Sequence, residues 1–104
     1  MDKELEDLLN APVPVLIDFY ASWCAPCKWI LPVLDDVEKY FQGKIKLHKI
    51  DVDVHMQLAK SLTILSVPTL ILFRNQKEVW RMKGFDLPPI LIKSISEHLE
   101  TTEK

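Results

Sequence analysis

The chain has 104 residues, of which 48% are apolar and 27% are charged, and its formal net charge is −2. These values predict one soluble globular domain over residues 1–104, with enough apolar side chains to form a core without metal ions or a disulfide network. The balanced charge argues against nucleic-acid binding, and no apolar run approaches the roughly 18 residues that span a membrane. The acidic N-terminus lacks a signal-peptide pattern, so we expect a cytoplasmic protein without membrane contact.

The first half of the chain is predicted to form a helix, a strand and a second helix. Leucines at helical spacing predict the first helix over 2–10. A nearly continuous apolar run over 13–20, rich in branched residues, indicates a strand that is buried on both faces, as in a sheet covered by helices. An apolar stripe predicts the second helix over 27–41, and Pro32 is expected to kink it.

The second half is predicted to add three strands and two helices. They are a strand over 44–51, a helix over 54–60, two strands over 69–73 and 78–83 joined by a turn at 75–77, and a helix that starts at Pro88 and Pro89. Helices and strands alternate first and a hairpin comes last. This order predicts an α/β fold in which helices sandwich a mixed sheet.

The only two cysteines, Cys24 and Cys27, are separated by two residues. A structural disulfide stabilises mainly by closing a long loop, so this short spacing favours a disulfide that opens and closes. We expect Cys24 at the junction of a strand and a helix, where the helix N-terminus stabilises the attacking thiolate. We therefore interpret Cys24 as the nucleophile and Cys27, expected to be more buried, as the resolving thiol, with Pro26 restraining the loop between them.

The same cysteine spacing occurs in zinc sites, which is an alternative interpretation. The chain has no second cysteine pair, and its three histidines lack the spacing of metal ligands. We therefore expect no metal bound within one chain. A metal cluster that two chains share through Cys24 and Cys27 stays open as an alternative.

Asp18 is an unusual residue, because it lies within the apolar run that predicts a buried strand. Burial disfavours the ionised form of a carboxyl group, so its pKa is expected to rise. A buried carboxylate is costly without a purpose, and this favours a catalytic role for Asp18. The alternative is an aspartate that is simply exposed at the end of the strand.

Three segments resemble the thioredoxin family, and the resemblance covers residues 13–99. They are Trp-Cys-Ala-Pro-Cys-Lys at 23–28 together with the apolar run before it, Val-Pro-Thr at 67–69, and Lys-Gly-Phe at 83–85. The resemblance implies the thioredoxin fold and a protein-disulfide reductase that works by dithiol–disulfide exchange. It also implies that Asp18 is the general acid and base for Cys27, acting through water.

The resemblance further implies a surface that contacts substrates. Pro68 would follow a cis peptide bond and expose the backbone of Val67 for pairing with an extended substrate segment. The substrate-binding residues that it implies are Trp23, Ala25, Val67, Pro68, Gly84 and Phe85. Trp29 either contacts substrates or packs against the protein, and both interpretations stay open. We expect Trp80 to be structural.

The chain departs from the family pattern at three places. Ala25 stands where the family usually has glycine, and Leu47 stands where it often has a lysine near the buried aspartate. We expect that the second departure leaves Asp18 without a nearby cation and raises its pKa further. The family's additional N-terminal strand is expected to be absent, which leaves about four strands with 44–51 at an edge.

The implied partners are disulfide-containing client proteins and a separate, NADPH-linked thioredoxin reductase that supplies electrons, with no cofactor bound to this chain. We expect a monomer.

Two other functions stay open from the sequence. One is an oxidant or isomerase, although the small residue before Pro26 and the lack of histidine beside Cys27 favour a reductase. The other is a non-catalytic thioredoxin-like module that only holds partners.

Overall fold

The structure is a computed structural model that describes residues 3–99, except for the side chain of Glu4. The order of elements matches the predicted order, except that two helices, α2 and α3, take the place of one predicted helix. The elements are α1 (Lys3–Leu9), β1 (Val15–Tyr20), α2 (Ala25–Trp29), α3 (Leu31–Phe41), β2 (Lys46–Asp51), α4 (Met56–Ser61), β3 (Thr69–Arg74), β4 (Lys77–Lys83) and α5 (Pro88–Leu99). Residue 2, the start of the predicted first helix, lies outside the described residues.

The described residues form one mixed sheet of four strands in the order β2-β1-β3-β4. β1 pairs with β2 in parallel and with β3 in antiparallel, and β3 pairs with β4 in antiparallel. The prediction of about four strands, with the 44–51 segment at an edge, is confirmed. That strand begins at Lys46, two residues later than predicted.

β1 lies at the centre of the fold and is buried on both faces, as predicted. Its side chains alternate between two clusters, because successive residues of a strand point to opposite faces. Leu16 packs with the apolar stripes of α3 and α5, while Ile17 and Phe19 pack with α1 and α4. The two layers of helices hold β1 in a fixed position, and the site described below lies at its C-terminal end.

The helix predicted over 27–41 is two helices that meet at Ile30. The first starts at Ala25, earlier than predicted, because Pro26 fits the first turn of a helix. Pro32 lies in the first turn of α3, where its missing N–H is tolerated. The expected kink is therefore a break between helices, and this break separates α2, with both cysteines at its start, from the longer α3.

The start of α4 also differs from prediction, whereas the turn between β3 and β4 does not. The helix predicted from residue 54 begins at Met56, because the N–H groups of Val54 and His55 both donate to the carbonyl of Asp51 in a turn. The predicted hairpin turn is confirmed. Asn75 and Gln76 have φ values of 54° and 66°, the left-handed pair that joins twisted antiparallel strands.

Candidate active site

Cys24 and Cys27 form a disulfide between the residue before α2 and the first turn of that helix, with Cα atoms 5.3 Å apart. The backbone N–H of Cys27 donates to Sγ of Cys24 at 3.2 Å. After reduction, the same N–H group and the helix dipole favour negative charge on the Cys24 sulfur. This position matches the expected junction of strand and helix.

The expectation that Cys27 is more buried than Cys24 is wrong. Both residues are 4% exposed in the disulfide form. Tyr20, Val52 and Val67 pack against the pair, so Cys24 is covered almost as fully as the residue inside the helix. A client disulfide reaches Cys24 only through the small exposed part of this residue.

The loop before β3 brings Val67 to the disulfide. The Val67–Pro68 peptide bond is cis, as the resemblance implies, and the carbonyl oxygen of Val67 lies 3.7 Å from Sγ of Cys24. The Oγ1 atom of Thr69 donates to the carbonyl of Ser66 at 2.8 Å, and the N–H of Gly84 donates to the carbonyl of Pro68 at 2.7 Å. These hydrogen bonds join the Val-Pro-Thr segment to the Lys-Gly-Phe segment, beside the segment that carries both cysteines.

The other residues of the implied substrate surface differ in exposure. Trp23 is 71% exposed, and Ala25 is also exposed. Pro26, Val67, Gly84 and Phe85 are half-buried, while Pro68 is buried. Phe85 packs partly against the core around α3 and α5. The part of this surface that is open to solvent therefore lies mainly on the side of Trp23 and Ala25.

The two remaining tryptophans have contrasting positions. Trp29 is 64% exposed at the end of α2, so it does not pack in the core. Trp80 is half-buried, packs against the core around α3 and α5, and has its ring centre 6.4 Å from that of His98. The structural interpretation of Trp80 is confirmed.

Asp53 belongs to the site although the sequence did not reveal it. Its Oδ2 atom accepts a hydrogen bond from Nε1 of Trp23 at 2.9 Å, and its own N–H donates to Oδ1 of Asp51 at 2.8 Å. The available signal was a pair of aspartates, Asp51 at the end of β2 and Asp53 two residues later. Because β2 runs parallel to β1, residues that follow both strands meet at the same edge of the sheet.

Asp18 is fully buried, and neither of its carboxyl oxygens has a hydrogen-bond partner. Burial is the main cause that raises the pKa of this group from 3.8 to about 6, while Lys49 acts in the opposite direction. Asp18 and Cys27 line the same cleft, which has a volume of about 460 Å³. The alternative of an aspartate exposed at the strand end is therefore wrong.

The expectation that Asp18 lacks a nearby cation is also wrong. Lys49 lies opposite Asp18 in the parallel pairing of β1 and β2, and its charge lowers the pKa of that carboxyl. Lys49 is two residues after Leu47, and residues two apart on a strand share a face. Lys49 thus supplies the positive charge that Leu47 lacks on the same strand. This charge counters the further rise in the pKa of Asp18 that we expected.

Residues 3–99 contain no group of three or more His, Cys, Asp or Glu side chains placed to hold a metal ion. None of the helices in this part of the chain is both long and apolar enough to cross a bilayer.

A disulfide that closes over two residues at a helix N-terminus, beside a loop and an exposed tryptophan, is placed to exchange with another disulfide. The fold and this site define a thiol–disulfide oxidoreductase. The chain belongs to the thioredoxin family, whose sequence profile, Thioredoxin, matches residues 1–97. The family, fold and type of activity predicted from the sequence are confirmed.

Similar proteins agree with this assignment. The chain is 36% identical to Thioredoxin 1 of Nostoc sp. over 94 residues, which are 90% of this chain and 88% of that protein. It is 35% identical over 91 residues to a bifunctional thioredoxin reductase/thioredoxin of Mycobacterium leprae, covering 88% of this chain and 20% of that one. A mutant thioredoxin from Halobacterium salinarum superposes with a TM-score of 0.86 at 33% identity, covering 99% of this chain and 89% of that one.

Proposed function

We propose that this protein reduces disulfides of client proteins, with a distinct role for each cysteine. The Cys24 thiolate attacks one client sulfur, forms a mixed disulfide and releases the other client sulfur as a thiolate. Cys27 then attacks Sγ of Cys24, which releases the second client sulfur and forms the Cys24–Cys27 disulfide. Two electrons pass from the protein to the client. The hydrogen bond from the Cys27 N–H to the Cys24 sulfur supports Cys24 as the nucleophile.

The proton of Cys27 passes to Asp18 in this proposal. The supporting observation is the buried carboxyl without hydrogen-bond partners, which shares a cleft with Cys27. A volume of about 460 Å³ has room for several water molecules, which connect the two groups. With a pKa of about 6, Asp18 accepts a proton near neutral pH and returns it during the next cycle.

The client segment lies along the exposed loop at Val67. Its backbone pairs with that of Val67, while Trp23, Ala25, Pro68, Gly84 and Phe85 contact its side chains. The distance of 3.7 Å between the Val67 carbonyl and the Cys24 sulfur supports this placement, since a client backbone at Val67 also brings its disulfide to Cys24. Backbone pairing needs no particular side chain, so the clients share a disulfide in an extended segment.

Electrons come from a separate NADPH-linked thioredoxin reductase. The support is the Mycobacterium leprae relative, whose name joins a thioredoxin reductase and a thioredoxin in one protein. We place this cycle in the cytoplasm and propose that the protein acts as a monomer. Sedimentation of the oxidised and reduced forms tests the monomer, since a dimer in either form contradicts it.

Reduction of insulin by NADPH and a thioredoxin reductase tests the function. The wild type should turn over, Cys24→Ser should be inactive, and Cys27→Ser should accumulate a mixed disulfide with insulin. A Cys24→Ser variant that keeps full activity contradicts the assigned chemistry. The redox potential gives the direction of the reaction: a value near −270 mV supports a reductase, and a value near −120 mV indicates an oxidant.

A further inference from the structure

Arg81 on β4 contacts the turn that follows α4. Its Nη2 atom donates to the carbonyl of Leu62 at 2.8 Å, and its Nη1 atom donates to the carbonyl of Thr63 at 3.2 Å. The same guanidinium makes two hydrogen bonds to the carboxylate of Glu78, at 2.7 and 2.8 Å. Arg81 therefore joins β4 to the turn after α4 through two hydrogen bonds, while Glu78 on the same strand holds its guanidinium through two more.

An irregularity in the sheet makes this arrangement possible. Residues three apart on a regular strand point to opposite faces, so Glu78 and Arg81 would not meet. The pairing of β3 with β4 shifts between Leu72 and Phe73, where Trp80 pairs with Leu72 and Glu78 pairs with Phe73. One extra residue on β4, Val79, therefore places Glu78 and Arg81 on the same face.

The turn that Arg81 contacts has an unfavourable backbone conformation. Thr63 has a φ of 57°, a region that a β-branched residue rarely adopts. The N–H of Thr63 donates to the carbonyl of Lys60 and the N–H of Ile64 donates to that of Ala59, the hydrogen bonds of a helix end that glycine usually forms. The hydrogen bonds from Arg81 hold the carbonyl groups on both sides of this strained position.

This turn leads directly into the loop beside the disulfide. The far end of the loop is fixed by the hydrogen bonds from Thr69 to Ser66 and from Gly84 to Pro68. Between the two fixed ends Leu65 is 78% exposed, while Ile64 and Val67 are half-buried and pack against apolar residues. The position of the Val67 backbone therefore depends on these contacts and on the two hydrogen-bonded ends.

We propose that Arg81, oriented by Glu78, is a positioning residue for polypeptide substrates. It fixes the start of the 64–67 loop so that the backbone of Val67 remains beside Cys24 in a shape that accepts an extended chain. This inference rests on the proposed pairing of client backbone with Val67. A small aromatic disulfide makes no such pairing, so its reduction does not depend on Arg81.

Arg81→Gln tests this role, with Arg74→Gln as the matched control. Arg74 is the other arginine of the chain, and it also donates to carbonyls at a helix end, those of His98 and Leu99. It ends β3, whereas the disulfide lies near the start of that strand. Loss of two hydrogen bonds in Arg81→Gln should raise the KM for insulin on the order of tenfold. The rate with 5,5′-dithiobis(2-nitrobenzoate) and the kcat for insulin should change by less than about twofold.

Arg81→Lys should recover part of the insulin KM, and Glu78→Gln should raise it by a smaller factor. These two variants carry the test if Arg81→Gln does not fold. An insulin KM in the Arg81 and Glu78 variants equal to that of Arg74→Gln overturns the proposal. An equal loss of rate with insulin and with the small disulfide also overturns it, because the site itself would then be disturbed.

Amide hydrogen exchange separates this inference from the function on which it rests. Exchange at Thr63 and Ile64, whose N–H groups donate to the carbonyls of Lys60 and Ala59, should be faster in the Arg81 variants than in the wild type and unchanged in Arg74→Gln. Unchanged exchange at those amides overturns the role of Arg81 whatever the activity. A wild type that reduces the small disulfide but not insulin overturns the proposed function, and the substrate role of Arg81 with it.

Discussion

Replacing Asp18 by asparagine should change the stability of the protein more favourably at high pH than at low pH. The substitution removes the ionisable group but keeps nearly the same shape. The pKa of Asp18 is raised from 3.8 to about 6, so the folded protein binds this proton more tightly than the unfolded chain does. The protonated carboxyl's contribution to stability is full below pH 3.8 and is lost as the pH rises through 6.

The magnitude follows from the same pKa values. A rise from 3.8 to about 6 corresponds to about 3 kcal/mol of stability lost at pH 8, because each pKa unit is worth about 1.36 kcal/mol. Asp18 is fully buried, so solvent screening does not reduce this value much. The asparagine of the variant buries an amide without partners at every pH, and this constant cost cancels when two pH values are compared.

Urea unfolding of the oxidised proteins at pH 4 and pH 8 measures the effect. The free energy of unfolding of Asp18→Asn, relative to wild type, should be roughly 2–3 kcal/mol more favourable at pH 8 than at pH 4. Asp36→Asn, which changes an exposed aspartate on α3, is the control and should show no comparable dependence on pH. A difference between Asp18→Asn and wild type that is the same at both pH values would refute the reasoning.

Three further predictions concern the surroundings of the site. Lys49→Met should raise the pKa of Asp18 above about 6, measured by NMR titration of its carboxyl carbon, because the opposing charge is lost; an unchanged pKa contradicts this. Thr63→Gly should raise the free energy of unfolding by about 1 kcal/mol in urea titrations, because glycine adopts a positive φ without strain; destabilisation contradicts this. Trp23→Phe, which loses the hydrogen bond to exposed Asp53, should lower stability by less than about 1 kcal/mol, and a larger loss in the same titrations contradicts a surface role.

Patterns along the chain predicted most of the fold because each depends on neighbouring residues. The apolar run at β1 indicated burial on both faces, and the structure has helices on both sides of that strand. The cysteine spacing likewise predicts the disulfide, while the cis peptide bond before Pro68 is implied by the resemblance to the thioredoxin family. Helix boundaries were less accurate, since a break such as the one at Ile30 depends on backbone hydrogen bonds that neighbouring side chains only partly determine.

The sequence patterns did not predict contacts between strands. The pairing of Asp18 with Lys49 depends on the register of two parallel strands, and no residue near either one indicates that register. The contact between Glu78 and Arg81 depends on a bulge, which a regular alternation would exclude. Both contacts arise from how the strands align.

The mixed sheet explains why segments far apart in sequence form one site. Thiol–disulfide exchange at this site requires the end of β1 to lie next to the start of β3. Antiparallel pairing of the two strands places them together, with Phe19 opposite Thr69. The pairing of Thr69 with Lys83 then brings Gly84 to Pro68. A slip of β3 by one residue would turn its buried side chains to the opposite face, so the two cores oppose it. The same apolar side chains that stabilise the sheet therefore keep the start of β3, and the loop that precedes it, beside the end of β1.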